Sequence, residues 1–313
     1  MDRIVVTPRS MTSPPHAALE RLRRAGYEVV MPTPGEQPDE RRLIGALAEA
    51  VGYLAGVEKV SRAVLEAAPR LRVISRNGVG IDNVDMEAAR ERGVQVMRAE
   101  GVNARGVAEL TIAHMLAACR RMDFHHSTLK NHAWQRRKGI ELNGRTVGIV
   151  GCGRIGRAVA ELCLAFGMTV RAFDPYVDAG FRPAGNFGFV SLDELLQTAD
   201  ILSLHAPVPE DGVALLDAAA FARMKAGVMI VNTARFELLD AQAVRAALED
   251  GTVAVLTLDA FQAEPPEDWS LIDHENVIAT PHIGGFTVES VERVTQVSIE
   301  NLLRVLSRQA EGG

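Results

Sequence analysis

The chain has 313 residues, 47% of them hydrophobic and 24% charged, with a net charge of −6. That length suits two ordinary domains or one large one, and the lack of a basic excess argues against nucleic acid or an anionic membrane as a partner. No apolar run reaches the roughly 18–20 residues of a membrane helix, and three scattered cysteines (Cys119, Cys152, Cys163) exclude a disulfide framework or a CxxC zinc site and suit a reducing, cytoplasmic setting.

Short apolar runs alternate with helical patterns from the start. "RIVVTP" reads as a strand and "PHAALERLRRAG" as a helix closing at Gly26. "YEVVMP", "GYLAG", "LRVISRNGVG" and "VQVMR" follow as strands, with helices "DERRLIGALAEA", "SRAVLEAAP" and "DMEAARERG" between them. Such βαβ alternation predicts a parallel sheet covered on both faces, ending near residue 100. A long helical stretch is predicted from Ala104 to Lys130, its first half apolar on nearly every face and therefore buried. The alternation then restarts with strands "TVGIVG", "TVRAFD", "DILSLHAP", "VMIVNTAR", "VAVLTLDAF" and "NVIATPH". Helices are expected to begin near Ile155, Leu192, Ala218 and Asp240, and residues 178–190 to form a loop. "TVESVERVTQVSIENLLRVLSRQ" is one long amphipathic helix. The fold class expected is α/β, with two doubly wound parallel-sheet domains and a cleft between them. Ligands of such sheets bind beyond the carboxyl ends of the strands.

The second unit opens with Gly151, Gly153 and Gly156, spaced as G-x-G-x-x-G between a strand and a helix. Asp174 ends the next strand 18 positions after Gly156, near the spacing of about 20 expected of a dinucleotide site. Gly151 permits the tight turn, Gly153 the approach of a pyrophosphate, and Gly156 the packing of helix on strand. The N–H groups near Arg154 and Ile155 then face phosphates at the positive helix end. Asp174 would accept ribose hydroxyls and repel a 2′-phosphate, so the cofactor expected is NAD rather than NADP. Arg171, on the same strand, is not read as a phosphate binder.

Three polar residues follow separate apolar strands: Arg235 in "NTARFE", Glu264 in "DAFQAEPP" and His282 in "ATPHIGG". Arginine offers a planar fork to a carboxylate. Histidine exchanges a proton near neutrality, and a nearby carboxylate would orient its ring and raise its pKa. If they converge, the three suit proton transfer coupled to hydride transfer on a 2-hydroxy or 2-oxo acid. The adjacent His125 and His126 point different ways on a helix and are not read as a metal pair. Cys152 is read as a small packed residue, and the basic run "KNHAWQRRKG" as a solvated surface or an interface edge.

Taken together, "LRVISRNGVGIDNVD", "AELTIAHMLAACR", "ELNGRTVGIVGCGRIGRAVA", "ADILSLHAPVP", "VNTAR", "LDAFQAEPP" and "ENVIATPHIGG" resemble the D-isomer-specific 2-hydroxyacid dehydrogenases, in particular the phosphoglycerate dehydrogenase-like branch. The resemblance implies a flavodoxin-like substrate domain (1–99 with 285–313) and an inserted Rossmann NAD-binding domain (100–284). It makes Arg235, Glu264 and His282 the catalytic set. It also implies that Asn77, Gly78, Val79 and Gly80 face the substrate and that His205, Ala206, Pro207, Thr233, Ala234, Asp259, His282 and Gly284 line the cofactor. A homodimer is implied, with the helical region after residue 104 at its interface.

Two departures bear on the substrate. Phe236 and Glu237 stand where the family has Gly-Gly, adding bulk after Arg235. Phosphoglycerate dehydrogenases tend to carry an arginine in the loop aligned with "YLAGVEKVS", where this chain has Ala55, Gly56, Val57 and Glu58, leaving Lys59 and Arg76 as cations. D-3-phosphoglycerate therefore stays a candidate. The alternatives are a glyoxylate or hydroxypyruvate reductase and an NAD(H)-sensing, corepressor-like binding protein.

Overall fold

The structure is a computed structural model that describes residues 1–209 and 211–310. The chain divides into two compact units, one of Met1–Asn103 with the segment from Val288 on, the other of Ala104–Thr287.

Among the described residues the first unit holds five parallel strands: β1 (Arg3–Val6), β2 (Glu28–Val30), β3 (Ala50–Ala55), β4 (Val73–Arg76) and β5 (Gln95–Arg98). Their order is β2-β1-β3-β4-β5, the flavodoxin-like winding. Every residue of β3 is buried, as a central parallel strand covered on both faces must be. Leu43, Leu47, Val64 and Leu65 cover one face. The helices that carry them open on Asp39 and Ser61, which accept the N–H groups of Arg42 and Val64. Ile299, Leu302, Val305 and Leu306 of the terminal helix Val288–Ala310 cover the other face, against Ile4, Val6 and Leu54. Each such aliphatic side chain contributes about 1.5–3 kcal/mol on burial. Gly52 lets that helix seat closely, since a Cβ there would lie 3.3 Å from both Ile4 and Leu306.

The second unit begins with the helix Ala104–Arg120, which buries Val107, Ala108, Thr111, Ile112, His114, Met115, Ala118 and Cys119. The single helical stretch expected to Lys130 is in fact two helices. Arg121 takes a left-handed conformation (φ 48°), and the second helix, Met122–Lys130, buries none of its residues. The apolar pattern runs out at Cys119, so nothing holds the continuation on the same core. Seven parallel strands follow among the described residues: β6 (Thr146–Val150), β7 (Thr169–Phe173), β8 (Phe187–Phe189), β9 (Ile201–Leu204), β10 (Val228–Asn232), β11 (Val253–Leu258) and β12 (Val277–Ala279). The order is β12-β11-β10-β9-β6-β7-β8. Strand β8 corrects the loop expected over 178–190. Phe181, Phe187 and Phe189 stack edge to face at 5.2 Å, which gives this glycine-containing segment enough packing to pair with β7.

In each unit the chain leaves its first strand in one direction along the sheet and later returns on the other side. This reversal falls between β1 and β3 in the first unit and between β6 and β9 in the second. At such a point the loops beyond neighbouring strands part and leave a crevice.

Candidate active site

The second unit's crevice is shaped by glycine. Gly151 has φ +88°, and a Cβ on it would lie 2.6 Å from the Ala206 nitrogen, so the loops after β6 and β9 touch only because this side chain is missing. A Cβ on Gly156 would lie 2.1 Å from the Gly151 carbonyl oxygen, so the helix Arg154–Ala165 could not meet the strand. Around Gly153 a Cβ would meet nothing within 4 Å, which leaves room for a ligand. The first-turn N–H groups of that helix have no intrahelical acceptor. Asp174 is fixed beside them, one oxygen accepting the Cys152 N–H (2.7 Å) and the other the Tyr176 N–H (2.8 Å). An open glycine turn, a helix N-terminus and a pinned carboxylate fit a dinucleotide.

Other residues expected at the cofactor lie at neighbouring strand ends. His205 follows β9; its Nε2 meets Ser203 Oγ at 2.8 Å, and burial pushes its pKa down to about 3. The ring is therefore neutral at pH 7, and its buried Nδ1 has no protein partner among the described residues. Ala206 and Pro207 continue that loop. Cys152 is buried, and burial pushes its thiol up to about 11, which suits packing rather than reactivity. Arg171 donates to the Val170 carbonyl and Asn186.

Arg235, Glu264 and His282 follow β10, β11 and β12. Asn232 shapes the first of these loops, its amide accepting from the Ala234 N–H (3.0 Å) and donating to the Arg235 carbonyl (2.8 Å). Thr233 is braced by Thr111, hydroxyl to hydroxyl at 2.9 Å. Phe236 packs against the core beneath, so the bulk that replaces glycine there is absorbed by the protein interior. The following Glu237 is exposed.

His282 Nδ1 lies 2.8 Å from both oxygens of Glu264. The ring therefore carries its proton on Nδ1 toward the carboxylate and leaves Nε2 for other chemistry. The hydrogen bond donated to Glu264 raises the His282 pKa against the opposing effect of burial, and the nearby Arg235 charge lowers it slightly. For Glu264, burial pushes upward, but the hydrogen bond and charge of His282 and the charge of Arg235 outweigh it, so its pKa is lowered. The three groups thus act on one another electrostatically, with Glu264 ionised and His282 biased toward its charged form.

The His282 backbone is strained, at φ +52°, a conformation uncommon for residues other than glycine. Asp259 holds it there. Its carboxylate, 1% exposed, accepts the Thr280 hydroxyl (2.6 Å) and the N–H groups of Ile283 (2.8 Å) and Gly284 (2.7 Å). Because the Thr280 hydroxyl donates to a carboxylate, the His114 Nε2 at 3.0 Å must donate to that hydroxyl. Burial lowers the His114 pKa, consistent with a neutral ring. Asp259, expected along the cofactor, thus has both oxygens engaged in the loop that presents His282. Sequence reading did not single out Asn232, Thr280 or His114. The available signal was a histidine inside an apolar helix, "AHMLAAC", and a threonine two places before the site histidine.

Asn77, Gly78, Val79 and Gly80 lie in the first unit, just past β4. The Asn77 Oδ1 is buried without a hydrogen-bond partner among the described residues, a state that calls for a donor from elsewhere.

A profile of the "D-isomer specific 2-hydroxyacid dehydrogenase, NAD binding domain" matches residues 112–284. D-3-phosphoglycerate dehydrogenase of Mycobacterium tuberculosis (strain ATCC 25618 / H37Rv) is 41% identical over 259 residues, covering 82% of this chain and 49% of that protein, so the chain spans about half its length. Hydroxypyruvate reductase of Thermotoga maritima is 39% identical over 253 residues, covering 79% of this chain and 82% of that one. A crystal structure of a protein from Thermus thermophilus superposes with a TM-score of 0.87 at 37% identity, covering 97% of both chains. The chain belongs to the D-isomer-specific 2-hydroxyacid dehydrogenase family and carries that family's NAD-binding domain.

Proposed function

We propose that the chain is an NAD-dependent oxidoreductase that interconverts a small D-2-hydroxy acid and its 2-oxo acid. The observation that carries this reading is the His282–Glu264 pair, 2.8 Å apart, on the same strand-end edge as the glycine crevice. NAD(H), when bound by the Gly151–Gly156 turn, Asp174 and the loop of His205, supplies or accepts the hydride at C2. Arg235 holds the substrate carboxylate and polarises the C2 oxygen with its planar fork. His282 donates a proton from Nε2 to that oxygen in reduction and removes it in oxidation. Glu264 orients the ring and favours its charged form, Asp259 maintains the backbone strain that aims it, and the Asn77 loop binds the acid.

A second proposal, at the level of assembly, is a homodimer through the surface after residue 104. Leu116, Met122, Leu129 and Trp134 are exposed along this segment, Trp134 at 83%, which gives a partner subunit apolar surface to cover. Sedimentation at micromolar concentration tests it, and a monomer removes it. The three buried thiols suit a reducing compartment, and we propose a cytoplasmic location on that ground. No described helix is long and apolar enough to cross a membrane.

The test of the activity is loss of NADH absorbance with glyoxylate, pyruvate, hydroxypyruvate and 3-phosphohydroxypyruvate in parallel. Saturable turnover with at least one acid is expected. Tight NADH binding with no turnover across the panel would replace this reading with an NAD(H)-sensing protein.

A further inference from the structure

The switch point of the first unit lies between the loops that follow β1 and β3, and it holds a charge. Glu58, in the loop after β3, turns back into it and is 3% exposed. Its Oε1 accepts the hydroxyls of Thr7 and Tyr53 and the N–H of Gly56 (2.7 Å). Thr7 follows β1, Tyr53 lies on β3 and Gly56 follows β3, so the donors come from both sides of the topological switch point. Tyr53 is wholly buried, and burial and the Glu58 charge both hold its phenol protonated. A Cβ on Gly56 would lie 2.6 Å from Glu58 Oε2 and 3.4 Å from the Pro8 Cα, so glycine at this position is what lets the carboxylate in. Asn83 clamps the loop, donating to the carbonyls of Glu58 (2.6 Å) and Gly56 (3.3 Å).

Two hydroxyls and a backbone N–H converging at a sheet switch point are what an anion-binding site is made of. Here the protein's own carboxylate occupies it. The donors are saturated, and the second oxygen, Oε2, accepts nothing from the described residues and remains as an acceptor. We infer that Glu58 determines specificity by excluding a second anionic group on the substrate: the acid accepted carries a neutral, hydrogen-bond-donating end such as a hydroxyl, not a phosphate. A phosphate entering here would meet a buried like charge that already engages the Thr7, Tyr53 and Gly56 donors, whereas a hydroxyl would find an acceptor. This inference rests on the proposed 2-oxo acid chemistry and on recognition of part of the substrate by the first unit.

The experiment compares kcat/KM for hydroxypyruvate and 3-phosphohydroxypyruvate in the wild-type chain, Glu58→Gln and Glu58→Ala. The wild type should prefer hydroxypyruvate by about tenfold or more, expressed mainly in KM. Glu58→Gln removes the charge with little change of shape and should move the ratio toward the phosphorylated acid by about tenfold. Glu58→Ala also frees three donors and should move it further. Equal or greater wild-type kcat/KM for the phosphorylated acid overturns the inference without any variant, and so does an unchanged ratio in a folded Glu58→Gln. Calorimetric titration with inorganic phosphate is the second readout, and it does not depend on turnover. Binding that is gained in Glu58→Ala or Glu58→Gln over the wild type supports an anion site filled by Glu58, and equal binding in all three overturns it. Phosphate gain with no turnover of any acid would retain Glu58 as the plug and discard the proposed activity.

Discussion

The two crevices are built at the same topological position and solve opposite problems. In the second unit, glycines at 151, 153 and 156 remove side chains so that backbone donors and open space face outward. In the first, Gly56 removes a side chain so that the protein's own Glu58 can fold inward and take up the donors. One crevice is kept for a ligand's phosphates, and the other is closed to them. The comparison teaches that a switch point dictates where a site lies but not what charge it accepts. That is decided by whether the convergent donors are left unsatisfied or are answered from within.

On this contrast, damage to the second unit should be read in cofactor binding and chemistry, and damage to the first in stability and in the choice of acid. The largest effect is expected at His282. Replacement by alanine should lower kcat by about 10²- to 10⁴-fold while NADH affinity, followed by fluorescence titration, stays within a few-fold. An unchanged kcat would remove His282 from the chemistry. Next is Gly156→Ala. Its Cβ would have to displace the Gly151 carbonyl; overpacking of this kind costs about 1–3 kcal/mol of folding stability, and the displaced turn should weaken NADH binding. Unaltered affinity would mean the turn does not hold the dinucleotide.

In the first unit the counterpart is Tyr53→Phe, which takes one donor from a buried carboxylate without changing the volume much. Hydrogen bonds to charged groups contribute about 1.5–3 kcal/mol, so urea unfolding should lose about that amount with NADH affinity untouched. A variant as stable as the parent would show that Glu58 does not depend on its internal partners, and the contrast between the crevices would weaken.

Sequence reading reached the strand order only in outline but placed the glycine turn, Asp174 and the three polar residues at strand ends, because each carries a local signature. Periodicity marks a strand, glycine spacing marks a phosphate turn, and a charged residue ending an apolar run stands out. What it missed is long-range. Glu58 stood in the sequence as a loop acid noted only for the arginine it is not, since its partner Thr7 lies 51 positions away. For Asp259 the resemblance implied a place along the cofactor, and nothing local shows that its oxygens also hold residues 21 to 25 positions on. The segment 178–190 looked like a loop for the same reason: its pairing with β7 depends on phenylalanine packing that composition does not display.

The smallest effect, and the one that separates orientation from proton supply, concerns Glu264. The side chains of His282 and Glu264 are 48% and 40% exposed, so solvent screening leaves their pairing worth about 0–1 kcal/mol to stability. The His282 share is present below its unfolded pKa and lost as pH rises through its raised folded value; the Glu264 share is present above its unfolded pKa and lost as pH falls through its lowered one. Stability should thus change little in Glu264→Gln, but the pH profile should move. Reduction requires protonated His282, so its rate falls as pH rises through that pKa. Removing the carboxylate removes the hydrogen bond and charge that raise it, and the falling limb should shift to lower pH. Glutamine can still accept the Nδ1 proton, so the ring stays oriented and the rate at acidic pH should largely survive. A profile that keeps its midpoint while kcat drops at every pH would assign Glu264 to positioning alone, and the raised pKa of His282 would then rest on the nearby Asp259 charge, since burial and Arg235 both lower it.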